Sequence, residues 1–284
     1  MTSPPYLAGT AQLNPLEYAS VLANLPGYLL FKSVNRHYML KEIHRSTDEF
    51  GAIQVLDDGA KRYLAFGNEH EQSCQIKATP HIPQHEYSRA IMMALLFCKP
   101  HSVCIMGLGG GTSAMAFLHA LNEQEGSQVV AIELRPAVVK IAHHYFQLPK
   151  HPSLTIHESD ALTFLQNNQQ AYDVLVADLY HHHGIDEVQL QSEFIETCCQ
   201  RVTEQGWLVL NYWLDHEIPQ ELLEILHDNF AQIFVCNSGG GNWIIYAGKT
   251  QADSDYLDAK RVKPLAKKLG FSLNYYLKRL KILT

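Results

Sequence analysis

The chain has six cysteines, at 74, 98, 104, 198, 199 and 236, but no two stand at the CxxC spacing of a metal or redox motif. Several sit inside apolar strand-like or helix-like runs and read as buried free thiols. Long hydrophobic runs are absent as well. The longest uncharged apolar stretch, Ala90 to Cys98, falls well short of the roughly 20 residues that a membrane-spanning helix needs. Met1 to Pro15 lacks the basic start and hydrophobic stretch of a signal peptide, so a cytoplasmic location and no membrane partner are expected. There is no basic excess either: the formal charge of −7 argues against a general nucleic-acid binder and mildly favours a cationic ligand. Neither disorder nor repeats are suggested by a hydrophobic share of 46% and a charged share of 18%, which belong to an ordinary globular protein.

One segment has no acidic residue at all. After Asp258 there are eight basic residues, Lys260, Arg261, Lys263, Lys267, Lys268, Lys278, Arg279 and Lys281. Leu265, Leu269 and Leu273, then Leu277 and Leu280, recur there at helical spacing. The segment reads as a docking helix with a solvated basic face, with an anionic partner as the alternative.

With 284 residues, the chain has room for one α/β domain of about 180 residues and a smaller unit. From Tyr28 to Ile76, short aromatic and β-branched runs alternate with turn signals, Asp57-Asp58-Gly59 and Phe66-Gly67-Asn68, the pattern of β-hairpins. Pro80 and Pro83 punctuate the chain before a helix expected over Tyr87–Phe97, which places a boundary near residue 80. Beyond it strands and helices alternate: strands at Ser102–Met106, Val129–Glu133, Leu154–His157, Tyr172–Ala177 and Trp207–Trp213, and helices at Thr112–Asn122, Pro136–Phe146, Ala161–Asn167, Val188–Val202 and Pro219–Asn229. Such alternation implies a parallel sheet covered on both faces. Only Asn237 to Gly241 separates Ile233–Cys236 from Trp243–Ala247, too little for a helical crossover, so these two strands should pair antiparallel at a sheet edge. The expected fold is α/β, a Rossmann-like sheet of the class I S-adenosylmethionine methyltransferase type with terminal antiparallel strands. The expected divisions are a β-hairpin domain over 1–80, the Rossmann-like domain over 81–250 and a basic tail over 251–284.

Chemistry concentrates after the first strand of that sheet. The apolar run Val103 to Met106 ends in Gly107-Leu108-Gly109-Gly110-Gly111, where glycines permit a tight turn and close approach to a nucleotide, or else a packing turn. Thr112 breaks the dinucleotide pattern GxGxxG, which lowers the case for NAD. Glu133 ends the next strand, twenty-two positions after Gly111, where a carboxylate can accept both ribose hydroxyls. Asp160, followed by Ala161, follows the third strand and would either meet an adenine amino group or cap the next helix. Asp178 closes the fourth strand at the sheet edge where such folds bind ligands, and it is the candidate catalytic carboxylate, with a turn carboxylate as the alternative. Tyr180 and His181, the latter opening the run His181-His182-His183, follow as acid-base or substrate contacts; a surface loop is the other reading. Three consecutive histidines cannot all face one metal ion, and no second cluster at ligand spacing accompanies them, so no metal is expected.

These residues, from Gln54 to Lys249, resemble the spermidine/spermine synthase (polyamine aminopropyltransferase) family. The likeness runs through Asp57-Asp58-Gly59, Gln72-Ser73, His85-Glu86-Tyr87, the glycine turn, Glu133, Asp160-Ala161 and Tyr172-Asp173 to Asp178. It implies a β-stranded N-terminal domain before a Rossmann-like one, decarboxylated S-adenosylmethionine as aminopropyl donor, a small-molecule amine acceptor, and a homo-oligomer. Carried over, Glu133 would bind ribose, Asp160 adenine and Gln72 the nucleotide side, and Asp178 would act on the acceptor. Two positions depart from the family. Gly110 stands where it normally has aspartate, and Asp178-Leu179-Tyr180-His181-His182 stands where it normally has Asp-Ser-Ser-Asp-Pro. An altered acceptor pocket follows. The alternatives are an S-adenosylmethionine-dependent methyltransferase, because the missing carboxylate at Gly110 removes an obstacle to the intact donor, and a non-catalytic module binding an adenosyl ligand.

Overall fold

The computed structural model describes residues 40–67, 70–181, 184–215 and 218–283; the hairpins expected before Leu40, Asn68 of the second turn, and His182 and His183 lie outside them. Four strands, β1 (Lys41–Asp48), β2 (Gly51–Asp57), β3 (Lys61–Phe66) and β4 (His70–Ile76), form an antiparallel sheet in sequence order. The Asp57-Asp58-Gly59 turn between β2 and β3 is fixed by Asp58, whose Oδ1 accepts from the Ala60 and Lys61 N–H groups, while Gly59 takes φ +92°. Ile53, Val55, Leu64 and Phe66 of this sheet pack on Val138, Ile141 and Phe146 of the following α/β region.

Instead of one helix over Tyr87–Phe97 there are two short ones, α1 (Glu86–Ile91) and α2 (Ala94–Phe97). Between them Met92 and Met93 donate to Arg89 and Ala90, three residues back, a tighter 3₁₀ pattern that interrupts the α register. The alternation then follows as β5 (Ser102–Met106), α3 (Thr112–Leu121), β6 (Gln128–Glu133), α4 (Pro136–Tyr145), β7 (Leu154–Glu158), α5 (Ala161–Asn167) and β8 (Tyr172–Ala177). A two-stranded piece, β9 (Tyr180–His181) and β10 (Gly184–Ile185), comes next. The helix expected over Val188–Val202 is a 3₁₀ turn at Glu187–Leu190 followed by α6 (Ser192–Gln200), and Val202 already belongs to β11 (Val202–Trp213). Asp186 starts the 3₁₀ turn by accepting from the Val188 N–H, and Gln189 spends its side chain inward, accepting from the Leu179 N–H and donating to the Asn211 carbonyl.

After α7 (Gln220–Asn229) come β12 (Gln232–Asn237), β13 (Asn242–Gly248), α8 (Ala259–Leu269), α9 (Asn274–Leu277) and β14 (Leu280–Ile282). The large sheet has the order β14-β12-β13-β11-β8-β5-β6-β7. Strands β5, β6, β7, β8 and β11 run parallel, and β13 lies antiparallel between β11 and β12. The expected antiparallel pair is therefore present, but the edge is β14, drawn from the tail and paired with β12. Leu277 and Leu280, at helical spacing in the sequence, end α9 and open β14. In α8, Val262 and Leu269 are buried and Lys268 reaches Glu123 at 3.1 Å, so the docking face is real. No helix among the described residues is long and apolar enough to cross a membrane.

The chain passes from β5 outward to β6 and β7 and then returns to the other side of β5 as β8. That reversal opens a crevice at the C-terminal ends of β5 and β8.

Candidate active site

A single cavity fills this crevice and reaches the hairpin sheet. It is lined by Gly107 to Gly109, Glu133, Asp160, Ala161, Asp178, Tyr180 and His181, with Gln72 and Ser73 from β4. Of the candidate cofactor-binding and catalytic residues named from the sequence, Gly110 and Gly111 stand outside its wall.

One end is built around Glu133. Its buried carboxylate accepts from the Leu108 and Gly109 N–H groups at 3.2 and 3.3 Å through Oε2, and from the Arg135 N–H at 3.0 Å through Oε1. Burial pushes its pKa up, against the opposing pull of those three donors and the Arg135 charge. Gly107 is obligatory, since at φ +99° an added Cβ would overlap the Asp178 carbonyl oxygen. The Gly110 N–H donates to Ser73 Oγ at 2.9 Å, and a Cβ there would meet Phe146 and Ser73 at 3.0 Å. Gly110 therefore faces the seam between the two sheets and not the cavity. Asp160 is the N-cap of α5, accepting from the Thr163 N–H at 2.8 Å through Oδ1; its place on the cavity wall leaves it available to a ligand as well. Thr112 Oγ1, also on the wall, is buried with no hydrogen-bond partner among the described residues.

The other end is built around Asp178. Its Oδ1 accepts from Asn211 Nδ2 at 2.7 Å. Burial raises its pKa to about 6, with the Asn211 donor and the His85 charge pulling the other way. Asn211 is itself buried and is held by Asn242, whose Nδ2 donates to its Oδ1 at 2.9 Å. Tyr180 donates to the Asn211 carbonyl at 3.0 Å, and burial beside Asp178 raises its pKa. Tyr87 lines the same end and is raised for the same reasons. Two imidazole–carboxylate pairs complete the wall: His85 Nε2 lies 2.9 Å from Glu71 Oε1, and His181 Nε2 lies 2.9 Å from Asp186 Oδ2.

Asn211, Asn242, Gln189 and the Glu71–His85 pair were not picked out from the sequence as site residues. Asn211 is embedded in the apolar strand Trp207–Trp213, and Asn242 opens the next apolar strand. Such an isolated polar residue, which burial would make costly without a partner, is the signal that could have found them. Among the described residues no group of three His, Cys, Asp or Glu side chains is placed to hold a metal ion.

The sequence model described as the spermine/spermidine synthase domain matches residues 84–249, more than half of the chain and all of the cavity's α/β wall up to β13. The chain belongs to the spermine/spermidine synthase family. Within this family it is similar to the polyamine aminopropyltransferase of Chromobacterium violaceum, 25% identical over 252 residues that cover 86% of this chain and 95% of that one. A probable spermidine synthase from Corynebacterium glutamicum superposes with a TM-score of 0.66 at 18% identity, covering 84% of this chain and 89% of the other. Human methyltransferase-like protein 13, solved with SAH, superposes at 0.54 and 17% identity over 68% of this chain and 98% of its own. At these identities the structural likenesses establish the fold alone: the class I methyltransferase type of sheet, preceded by an antiparallel hairpin sheet.

Proposed function

We propose that this chain is an aminopropyltransferase that uses decarboxylated S-adenosylmethionine as donor and a small amine as acceptor, and that its acceptor pocket differs from its family's. The observation that carries this reading is one cavity with Glu133 at one end and Asp178 at the other, in a chain that belongs to the family.

At the donor end, Glu133 offers two carboxylate oxygens to the ribose hydroxyls, Asp160 and Ala161 meet the adenine, and Gln72 closes the nucleotide side from the hairpin sheet. The orphaned Thr112 hydroxyl and the Cβ-free Gly107 and Gly109 fit a ligand lying against the turn. At the acceptor end, an amine that is protonated in water must lose its proton before it can attack. Asp178, a carboxylate above about pH 6, takes that proton while Asn211 fixes its orientation. The freed nitrogen lone pair then forms the N–C bond, and the C–S pair of the sulfonium leaves on sulfur as a thioether.

The acceptor pocket is altered because Tyr180 and His181 follow Asp178 where the family carries further polar and acidic groups, and His181 sits on Asp186. The same reading places the chain in the cytoplasm as a homo-oligomer and divides it at about residues 80 and 250.

Calorimetric titration with decarboxylated S-adenosylmethionine, S-adenosylmethionine and 5′-methylthioadenosine tests the donor. The decarboxylated donor should bind best, and Glu133→Ala should weaken 5′-methylthioadenosine at least about tenfold, or ~1.4 kcal/mol. Preference for the intact donor, with methyl transfer to the acceptor, would replace this reading by a methyltransferase.

A further inference from the structure

The proton that leaves the acceptor amine has to pass from a half-buried carboxylate to water, or Asp178 stays protonated and idle after one turnover. Among the described residues of the cavity wall, the imidazole of His85 is suited to receive it. His85 stands just before α1 and lines the same cavity as Asp178. Its Nε2 lies 2.9 Å from Glu71 Oε1 on β4, and Glu71 is 46% exposed. Its ring stands edge-on to Tyr87, with centroids 5.3 Å apart at 88°. Glu86, the adjacent carboxylate, is drawn off by the Tyr276 hydroxyl at 2.6 Å and by Arg89 at 3.6 Å. His85 is thus left with one solvent-facing acid, Glu71, at its Nε2, and it shares the cavity with Asp178.

A carboxylate facing Nε2 favours the tautomer with hydrogen on Nε2 and leaves Nδ1 as the acceptor, the arrangement in which a base is oriented by a third group. Resting on the transferase reading above, we infer that His85, oriented by Glu71, is the proton acceptor that relieves Asp178 in each catalytic cycle. The ammonium of the acceptor gives its proton to the Asp178 carboxylate and becomes a neutral amine. Asp178 passes the proton through water in the cavity to His85 Nδ1, and the imidazolium releases a proton through Nε2 to Glu71 and water. One proton leaves per transfer, which balances the conversion of an ammonium and a sulfonium into one secondary ammonium and one thioether.

His181 is the rival imidazole in the cavity. Its partner Asp186 is already committed through Oδ1 to the Val188 N–H, and His181 is the more exposed of the two histidines. That pair braces the short β9–β10 piece, whereas the His85 pair runs from the wall of the Asp178 cavity to the exposed Glu71.

The test is chemical rescue. His85→Ala in the full chain should lower kcat for aminopropyl transfer about 100-fold, within the range of a positioned acid-base group, while 5′-methylthioadenosine affinity stays within about twofold of wild type. Imidazole added to this variant should restore kcat at least about tenfold, and methylimidazoles of higher pKa should restore more, as Brønsted behaviour requires. Glu71→Gln should lower kcat about tenfold, and the double variant should be no worse than His85→Ala alone, because the two act in one chain of transfers. If wild type transfers aminopropyl groups but His85→Ala keeps its kcat, or loses it without imidazole rescue, the relay is wrong and the transferase reading stands. If wild type binds 5′-methylthioadenosine but transfers nothing to any amine, both are wrong.

Discussion

A half-buried carboxylate proposed as a base is under tension between reactivity and stability, and Asp178 is the residue where that tension is concentrated. In the unfolded chain its carboxyl titrates near 4, whereas in the folded chain burial raises it to about 6. The folded state therefore binds the proton more tightly. The stability contributed by this group is fullest below about pH 4, is lost as pH rises from about 4 to 6, and stays at its lower level above. Asp178→Asn removes the charge that burial penalises and keeps an oxygen that can accept from Asn211 Nδ2. This variant should be more stable than wild type at pH 7.5 by about 1–2 kcal/mol, with the gain vanishing below about pH 4, and it should transfer at under about one hundredth of the wild-type rate. Urea unfolding at the two pH values, paired with turnover, checks both halves. Equal stability at pH 7.5 would mean that solvent reaches the carboxylate freely. Asp178 was legible in the sequence because it closes an apolar strand at the ligand edge. Asn211 and Asn242 carried only the signal of a lone polar residue in an apolar strand; their pairing across strands β11 and β13 is not recorded in a linear pattern.

At the scale of elements, the parallel strands β5 to β8 are legible to within one residue because each is a short apolar run ended by glycine, a carboxylate or a helix cap, signals carried within the element itself, whereas β11 begins at Val202, five residues before the expected Trp207. The tail was read less well. Its α8 helix has its own cap at Asp258 and its own left-handed glycine stop at Gly270, but β14 depends on the edge that β12 offers 44 to 48 residues earlier. The glycine turn shows the same division. Its conformation was legible, whereas the direction in which each missing side chain would point was not. Gly110 occupies the position where the family carries an aspartate, yet a Cβ there meets Phe146 Cδ1 and Ser73 Cβ, both at 3.0 Å, and the turn's N–H is already spent on Ser73 Oγ. Gly110→Asp should not create an amine-binding carboxylate. It should cost about 1–3 kcal/mol through overpacking at the seam, seen as a lowered melting temperature, with no gain in affinity for the decarboxylated donor. A tighter-binding, equally stable variant would mean that Phe146 and Ser73 yield readily and that the turn is only one residue short of the family's usual site.

At the scale of the whole molecule, Arg135 ties the proposed donor end of the cavity to the seam between the two sheets. Arg135 follows Glu133 by two positions and donates its backbone N–H to that carboxylate, while its buried side chain crosses to the hairpin sheet. There it meets Asp48 at 2.7 Å, the Gly51 carbonyl at 2.8 Å and the face of Phe66 at 4.4 Å. Gln72 and Ser73 reach the cavity from that same sheet, so its placement decides whether the donor end is complete. The predicted consequence is a coupling of stability to affinity. Arg135→Met leaves Asp48 without its cation and should destabilise the protein by about 2–4 kcal/mol, because removing one partner of a largely buried pair costs more than the pair contributes. It should also weaken 5′-methylthioadenosine about tenfold, although no atom of the Arg135 side chain is assigned a contact with the nucleoside. Adding Asp48→Leu should return part of the stability, since two apolar side chains replace a pair whose desolvation was expensive. Urea denaturation and titration on the single and double variants measure the two effects side by side. Full stability recovered without recovered affinity would place the Arg135 side chain in the donor site itself; recovery of both would fix its role as the strut that holds the hairpin sheet over the cavity.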